Sequence, residues 1–315
     1  MDNTEIHILQ TLCYFDIFHY PLLKEEIFQF HGETCTAAKI ESALQSLLNK
    51  GSIFKLEEFY SLHFDHKLAA RRKEGNSLAT EHLLIAQKAA NILSHFPFVR
   101  GLAISGSLSK NFSSKKADID FFIVTSKERL WLARTFMHLY KKFTFIAGKQ
   151  DWFCMNYYVD EAAMEIEEKN IYTAIEIATL LPMYGRSTLE KFAVVNSWTK
   201  NYLPAYSKND DRGSEFKKRF LPNLIEKIFN NEMGSWLNNW FMKITDSRWQ
   251  KKVREQRKND KGNYIGMKVD KYFSKPDPRF FQEKVLEAYK EKLSEVLKEP
   301  CQQHIAPRSP SSQFC

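Results

Sequence analysis

No apolar run in the 315-residue chain approaches the ~20 residues of a membrane-spanning helix. The opening residues, MDNTEIHILQ, lack the basic flank and cleavage site of a signal peptide. The five cysteines (Cys13, Cys35, Cys154, Cys301 and Cys315) are scattered and form no Cys-x-x-Cys pair, which argues for reduced thiols and against a zinc site. The nine histidines show no ligand spacing; only His63 and His66 stand close together, as solvated side chains do. No internal repeat is present. These absences exclude a membrane protein, a disulfide scaffold and a repeat array, and lead to the expectation of a cytoplasmic protein with no membrane partner.

Positive charge is also missing from one end. The chain carries a net charge of +8, yet residues 1–66 hold four lysines against ten acidic residues, a balance of −6. The excess cations lie elsewhere, most densely at Arg248, Lys251, Lys252, Arg254, Arg257, Lys258 and Lys261. That run is either a solvated helix face or a surface for phosphates. The 43% apolar and 14% aromatic content is that of a folded chain, and the length predicts two or three domains.

The chain is organised around Gly101–Thr125, GLAISGSLSKNFSSKKADIDFFIVT. A short apolar run (Leu102, Ala103, Ile104) stops at Ser105-Gly106-Ser107, and Asp118-Ile119-Asp120 opens a second run, Phe121–Val124. Short apolar runs bounded by Gly, Ser and charge predict buried strands. Alternation then puts Asp118 and Asp120 on one face, where two carboxylates repel unless a cation sits between them. A hard divalent ion with oxygen ligands suits that pair. The Ser-Gly-Ser turn lets backbone amides and the hydroxyls of Ser105 and Ser107 approach an anion. The competing explanation is a surface strand with two solvated aspartates after an incidental turn.

Gly106, Ser107, Asp118 and Asp120 resemble the motif of the nucleotidyltransferase superfamily, which includes DNA polymerase beta, kanamycin nucleotidyltransferase and the small bacterial nucleotidyltransferases. The resemblance covers roughly residues 98–160. It implies an α+β core with a mixed sheet and metal-dependent transfer of a nucleoside monophosphate from an NTP, ATP by preference, to an acceptor hydroxyl, with release of pyrophosphate. By the same resemblance, Asp118 and Asp120 hold Mg²⁺ or Mn²⁺, while Ser105, Gly106 and Ser107 cradle the nucleotide phosphates. A third carboxylate is expected on the strand Trp152–Val159, where this chain has Asn156. Asparagine cannot take a proton at neutral pH, so Asp151, Asp160 or Glu176 would have to serve instead. The alternative is a catalytically weak nucleotide-binding or regulatory protein.

Helical periodicity at 4–20, after Pro21 and again from Ile40 to Leu48, followed by two short strands about Glu57-Glu58, predicts a winged helix-turn-helix over residues 1–66. DNA readout would use Lys39, Ser42, Gln45, Ser46 and Asn49 on the third helix. The acidic balance and the acidic wing tip disfavour DNA and favour a packing module. Residues 67–97 read as a connecting helix interrupted at Gly75-Asn76, 98–164 as the core, 165–300 as an all-helical domain, and 301–315 as a disordered tail. Lys208–Gly213 reads as an exposed linker. Trp198, Trp236, Trp240 and Trp249 are expected to fill helical cores and not to form a base-stacking platform.

Overall fold

The computed structural model describes residues 1–146, 154–207, 220–258, 265–276 and 281–298. Asp151, the linker 208–213 and the tail 301–315 lie outside these residues. Among the described residues no helix is long and apolar enough to cross a membrane.

The fold is mixed α and β. Helices α1 (Asn3–Asp16), α2 (Lys24–Gln29) and α3 (Ala37–Asn49) precede a hairpin of β1 (Phe54–Leu56) and β2 (Phe59–Ser61). The long α4 (His66–Ser94) then leads to β3 (Val99–Ile104), the short α5 (Gly106–Ser109) and β4 (Asp120–Thr125). Next come α6 (Leu130–Ile146), β5 (Cys154–Asp160), α7 (Ile171–Ala178), β6 (Leu181–Tyr184), α8 (Arg186–Val195) and a 3₁₀ turn (Ser197–Asn201). The chain closes with α9 (Phe220–Phe229), α10 (Glu232–Arg254), β7 (Met267–Val269), β8 (Phe273–Pro276) and α11 (Phe281–Lys298).

The main sheet has the order β6-β3-β4-β5-β8-β7, with β4 and β5 parallel and every other pair antiparallel. Its central strands are apolar on both faces because helices cover both. Leu102, Ile104, Phe121 and Ile123 pack with Ala86, Ala90 and Leu93 of α4 and with Trp131 and Met137 of α6. Ala103, Phe122 and Val124 face Leu189 and Phe192 of α8.

The sheet corrects the expectation of an all-helical region from residue 165, since β6, β7 and β8 all lie beyond it. Strand β6 contains Pro182, which cannot donate a ladder hydrogen bond and so sits on the sheet edge. A strand so short and so interrupted carries little alternation to read. The break expected at Gly75-Asn76 is likewise absent, because α4 runs unbroken through it. Gly75 is there for clearance: a Cβ on it would lie 2.2 Å from the Phe112 ring, and its carbonyl accepts from Ser113 N–H at 3.0 Å.

The N-terminal helices and hairpin are built into the rest. Ile8, Leu12, Phe15 and Leu44 share one core with Ala174 and Ile175 of α7 and Val285 of α11. The basic start of α4 fixes this unit. Arg71 donates to the carbonyls of Phe18 and His19, and Lys73 pairs with Glu57 and Glu58 of the hairpin turn. Arg72 is 1% exposed, forks onto Glu26 at 2.7 and 3.2 Å, and stacks its guanidinium 3.7 Å from the centroid of Tyr20. The acidic hairpin tip is thus spoken for by α4. On α3, Lys39, Ser42, Gln45 and Asn49 are exposed as expected, and Ser46 is half-buried.

Trp198 packs against two of the apolar cores as expected, and the departure lies in Trp236 and Trp240. Trp198 and Trp249 are half-buried, while Trp236 and Trp240 are 63% and 46% exposed.

Candidate functional site

The end of β3 and the start of β4 lie side by side because Ile104 pairs with Phe121. Ser105, in extended conformation, donates its N–H to the Asp120 carbonyl at 2.9 Å and so ties the turn to β4. Gly106 follows with φ +70, the left-handed region that favours glycine. A Cβ on Gly106 would lie 2.9 Å from Asp120 Oδ2, so the turn presses its bare backbone against the carboxylate. The Gly106 carbonyl is held by Ser109 Oγ at 2.8 Å and Lys110 Nζ at 3.0 Å. Amides in the first turn of a helix lack intrahelical acceptors, which leaves those of Gly106 and Ser107 suited to an anion. Ser107 is exposed and Ser105 half-buried. Ile119 is buried, with an exposed Asp118 before it and a half-buried Asp120 after it; β4 begins only at Asp120, so Asp118 lies in the loop that enters the strand and not on the strand the sequence predicted.

Strand β5 lies parallel to β4, with Cys154 opposite Asp120. Burial pushes the Cys154 thiol up, the Asp120 charge pushes it further, and the thiol is left neutral and hydrogen-bonded to that carboxylate. Asn156 sits at a register shift: Phe121 pairs with Met155 and Phe122 with Tyr157, so Asn156 is the extra residue of a β-bulge. Met155 packs into one core and Tyr157 against the other, and the strand changes faces at Asn156. Cys154 was missed in the sequence. No sequence signal marks it, because the bulge at Asn156 breaks the alternation that would relate the two and only the register pairs Cys154 with Asp120.

The three stand-in carboxylates fare differently. Asp160 pairs with Thr125 at the far end of β5, about 17 Å of strand from the Asp120 pairing. It therefore does not serve the site. Its Oδ1 accepts from Ala162 N–H at 2.9 Å, and burial raises its pKa to about 6 despite the backbone amides around it. A carboxyl whose folded pKa exceeds its unfolded value favours folding when protonated. The contribution of Asp160 to stability should therefore fall as pH rises from about 4 to about 6, by about 2–3 kcal/mol. Asp160→Asn should remove that dependence and raise the neutral-pH midpoint in urea unfolding. A stability difference between wild type and Asp160→Asn that stays constant across the same window would contradict this.

Glu176, on α7, lies on the side of the motif. Its Oε1 accepts from Lys110 Nζ at 2.7 Å. Lys110 Nζ also donates to the Gly106 carbonyl at 3.0 Å, so one ammonium ties Glu176 to the glycine turn. Asp151 lies outside the described residues.

Among the described residues no group of three or more His, Cys, Asp or Glu side chains could hold a metal ion. Magnesium, however, is commonly held by one or two carboxylates together with substrate phosphates. Asp120 is the carboxylate placed for that mode, because the missing Cβ of Gly106 leaves room beside its Oδ2, and Asp118 two residues earlier could join it. A standing all-protein cage is not formed by the described residues.

No family model matches the chain, and no curated protein and no solved structure matches it either.

Proposed function

We propose that the chain transfers a nucleoside monophosphate from an NTP, ATP by preference, to an acceptor hydroxyl on a nucleotidyltransferase-like core. The observation that carries this is the close approach of Gly106 to Asp120, which joins a candidate phosphate-binding turn to a candidate metal-binding pair. Asp118 and Asp120 would hold Mg²⁺ or Mn²⁺, and the bound ion would neutralise charge on the phosphates. Ser105, Gly106 and Ser107 would hold the β- and γ-phosphates. The acceptor oxygen bonds to the α-phosphorus as the bond to the β-phosphate bridging oxygen breaks, and pyrophosphate leaves. The acceptor proton needs a base, and Glu176 is the described carboxylate on that side; Lys110 would orient it.

The order of three helices and a hairpin supports a winged-helix reading for residues 1–66. Its core is shared with α7 and α11 and its acidic tip is paired with Lys73, which favours packing over DNA recognition.

A second reading, a nucleotide-binding or regulatory protein with feeble transfer, is favoured by the neutral Cys154 and Asn156 on β5. Nucleotide transfer from α-labelled NTPs to pooled acceptors separates the two. Glu176→Gln is expected to cut turnover by about 10²–10⁴ while NTP affinity holds, the range for general-base assistance. Barely detectable wild-type turnover that rises in Asn156→Asp would instead favour the second reading.

A further inference from the structure

We propose that the outer stripe of α10 binds single-stranded nucleic acid, with bases stacked on a tryptophan pair and the phosphate backbone laid along a row of cations. At 3.6 residues per turn, Trp236, Trp240, Lys243, Ser247, Lys251 and Arg254 fall within an arc of about 80° on one face. All six are exposed. At 1.5 Å per residue the stripe runs about 27 Å from Trp236 to Arg254.

The aromatic end is made for a planar ligand. Trp236 and Trp240 are i and i+4, their rings are 8° from parallel with centroids 6.2 Å apart, and they are 63% and 46% exposed. Leaving two large indoles in water, stacked on each other, brings no core packing. Planar faces held parallel are what a stacking base needs, whatever its identity. The same helix has apolar work on its other side, where Leu237 and Phe241 pack with Phe98 and Leu132 of the domain core. Asn238 accepts from the Trp131 and Leu132 amides at 2.9 and 3.2 Å and fixes that orientation.

The cationic end complements a polyanion. Among the described residues neither Lys243 nor Arg254 has an acidic partner, and Lys251 meets Glu255 only at 3.9 Å. The acids of α10 itself, Glu232 and Asp246, fall outside the arc; Asp246 accepts from Gln250. Lys252 turns away and lies 4.4 Å from the centroid of Trp249.

An anionic bilayer is the rival occupant. A helix lying in a membrane interface carries apolar residues along its whole buried face, with cations flanking it. Here the apolar part of the face ends at Trp240 and cations continue along the same line, so a membrane would receive charge where it needs hydrocarbon. A strand with bases at one end and phosphates along its length matches both halves.

The test is fluorescence anisotropy on the full chain with labelled 12-residue single-stranded RNA and DNA, the corresponding duplex, and sedimentation with phosphatidylserine vesicles. Single strands should bind better than duplex, and binding of either RNA or DNA in this way supports the proposal. Trp236→Ala with Trp240→Ala should weaken binding at least about 30-fold, as expected for two stacked bases. Neutralising Lys243, Lys251 and Arg254 should flatten the slope of log affinity against log salt by about 2. Because these side chains are exposed, thermal midpoints should not move. Asp120→Asn should leave oligonucleotide binding intact, which keeps this surface distinct from the nucleotide site. No single-strand binding at low salt, binding indifferent to both sets of variants, or a preference for vesicles over oligonucleotides would overturn it.

Discussion

Replacing Asp118 and Asp120 together by asparagine is expected to abolish Mg²⁺-dependent nucleotide binding while leaving the fold intact. Loss of an outer-shell partner alone typically costs 10–100-fold in metal affinity, so loss of two charged ligands should exceed about 100-fold. Asparagine keeps a carbonyl oxygen but removes the charge that favours a hard cation. Asp118 is exposed and Asp120 half-buried, and relief of their mutual repulsion should leave the thermal midpoint unchanged or slightly raised. Titration of a fluorescent ATP analogue, with a thermal scan on the same sample, checks both parts. Unchanged affinity in the double variant would remove the metal assignment. A collapsed midpoint would show instead that the pair holds the fold.

The second large effect concerns Arg72. Its guanidinium is buried, forked onto Glu26, bonded to the Pro21 carbonyl at 3.1 Å and to Asn76 Oδ1 at 2.8 Å, and stacked on Tyr20. Arg72→Met keeps the volume but leaves Glu26 without its partner. Removing one member of a buried pair costs about 3–5 kcal/mol, a large share of the ~5–15 kcal/mol of a whole domain. Arg72→Lys should recover little, because an ammonium can neither fork onto the carboxylate nor stack as a plane. Adding Glu26→Gln to Arg72→Met should restore part of the loss, since the stranded charge is then gone. Urea unfolding of the three variants reads this directly. A loss under about 1 kcal/mol in Arg72→Met would mean that the N-terminal unit is held by its shared apolar core alone.

The two effects differ in how far they were legible in the sequence. The strands around Gly106 and Asp118–Asp120 were, because fully apolar runs bounded by Ser, Gly and Asp permit few other structures. The order of three helices and a hairpin was legible for the same local reasons: Thr36 caps α3 by accepting from Lys39 N–H at 3.3 Å, and Gly51 follows its end. What depended on distant partners was not. Arg71, Arg72 and Lys73 read only as a basic helix start, since nothing local says that they meet Phe18, Glu26 and Glu57. Gly75 looked like a break because the Phe112 ring that needs its missing Cβ lies far along the chain. Strand β6 was too short for periodicity. Trp236 and Trp240 were assigned to a core by residue type, whereas Leu237 and Phe241 beside them are what the core took.

At the candidate site the same division holds. The sequence offered Asn156 as the neutral residue on β5, and only the parallel register reveals Cys154 as the one opposite Asp120. Asp160 looked available by proximity in sequence, yet strand geometry carries it to the far end of β5. Glu176 was a candidate from the sequence, and α7 brings it to the glycine turn through Lys110, which bonds both Glu176 and the Gly106 carbonyl.

The measurement that bears most directly on the proposed chemistry is a calorimetric titration of ATP into the full wild-type chain, once in Mg²⁺ and once in EDTA. Saturable one-site binding in Mg²⁺ and none in EDTA is the expected result, because the Asp118–Asp120 pair repels a bare triphosphate and accepts one that brings a cation. Equal affinity in both buffers, or no binding in either, would contradict the account.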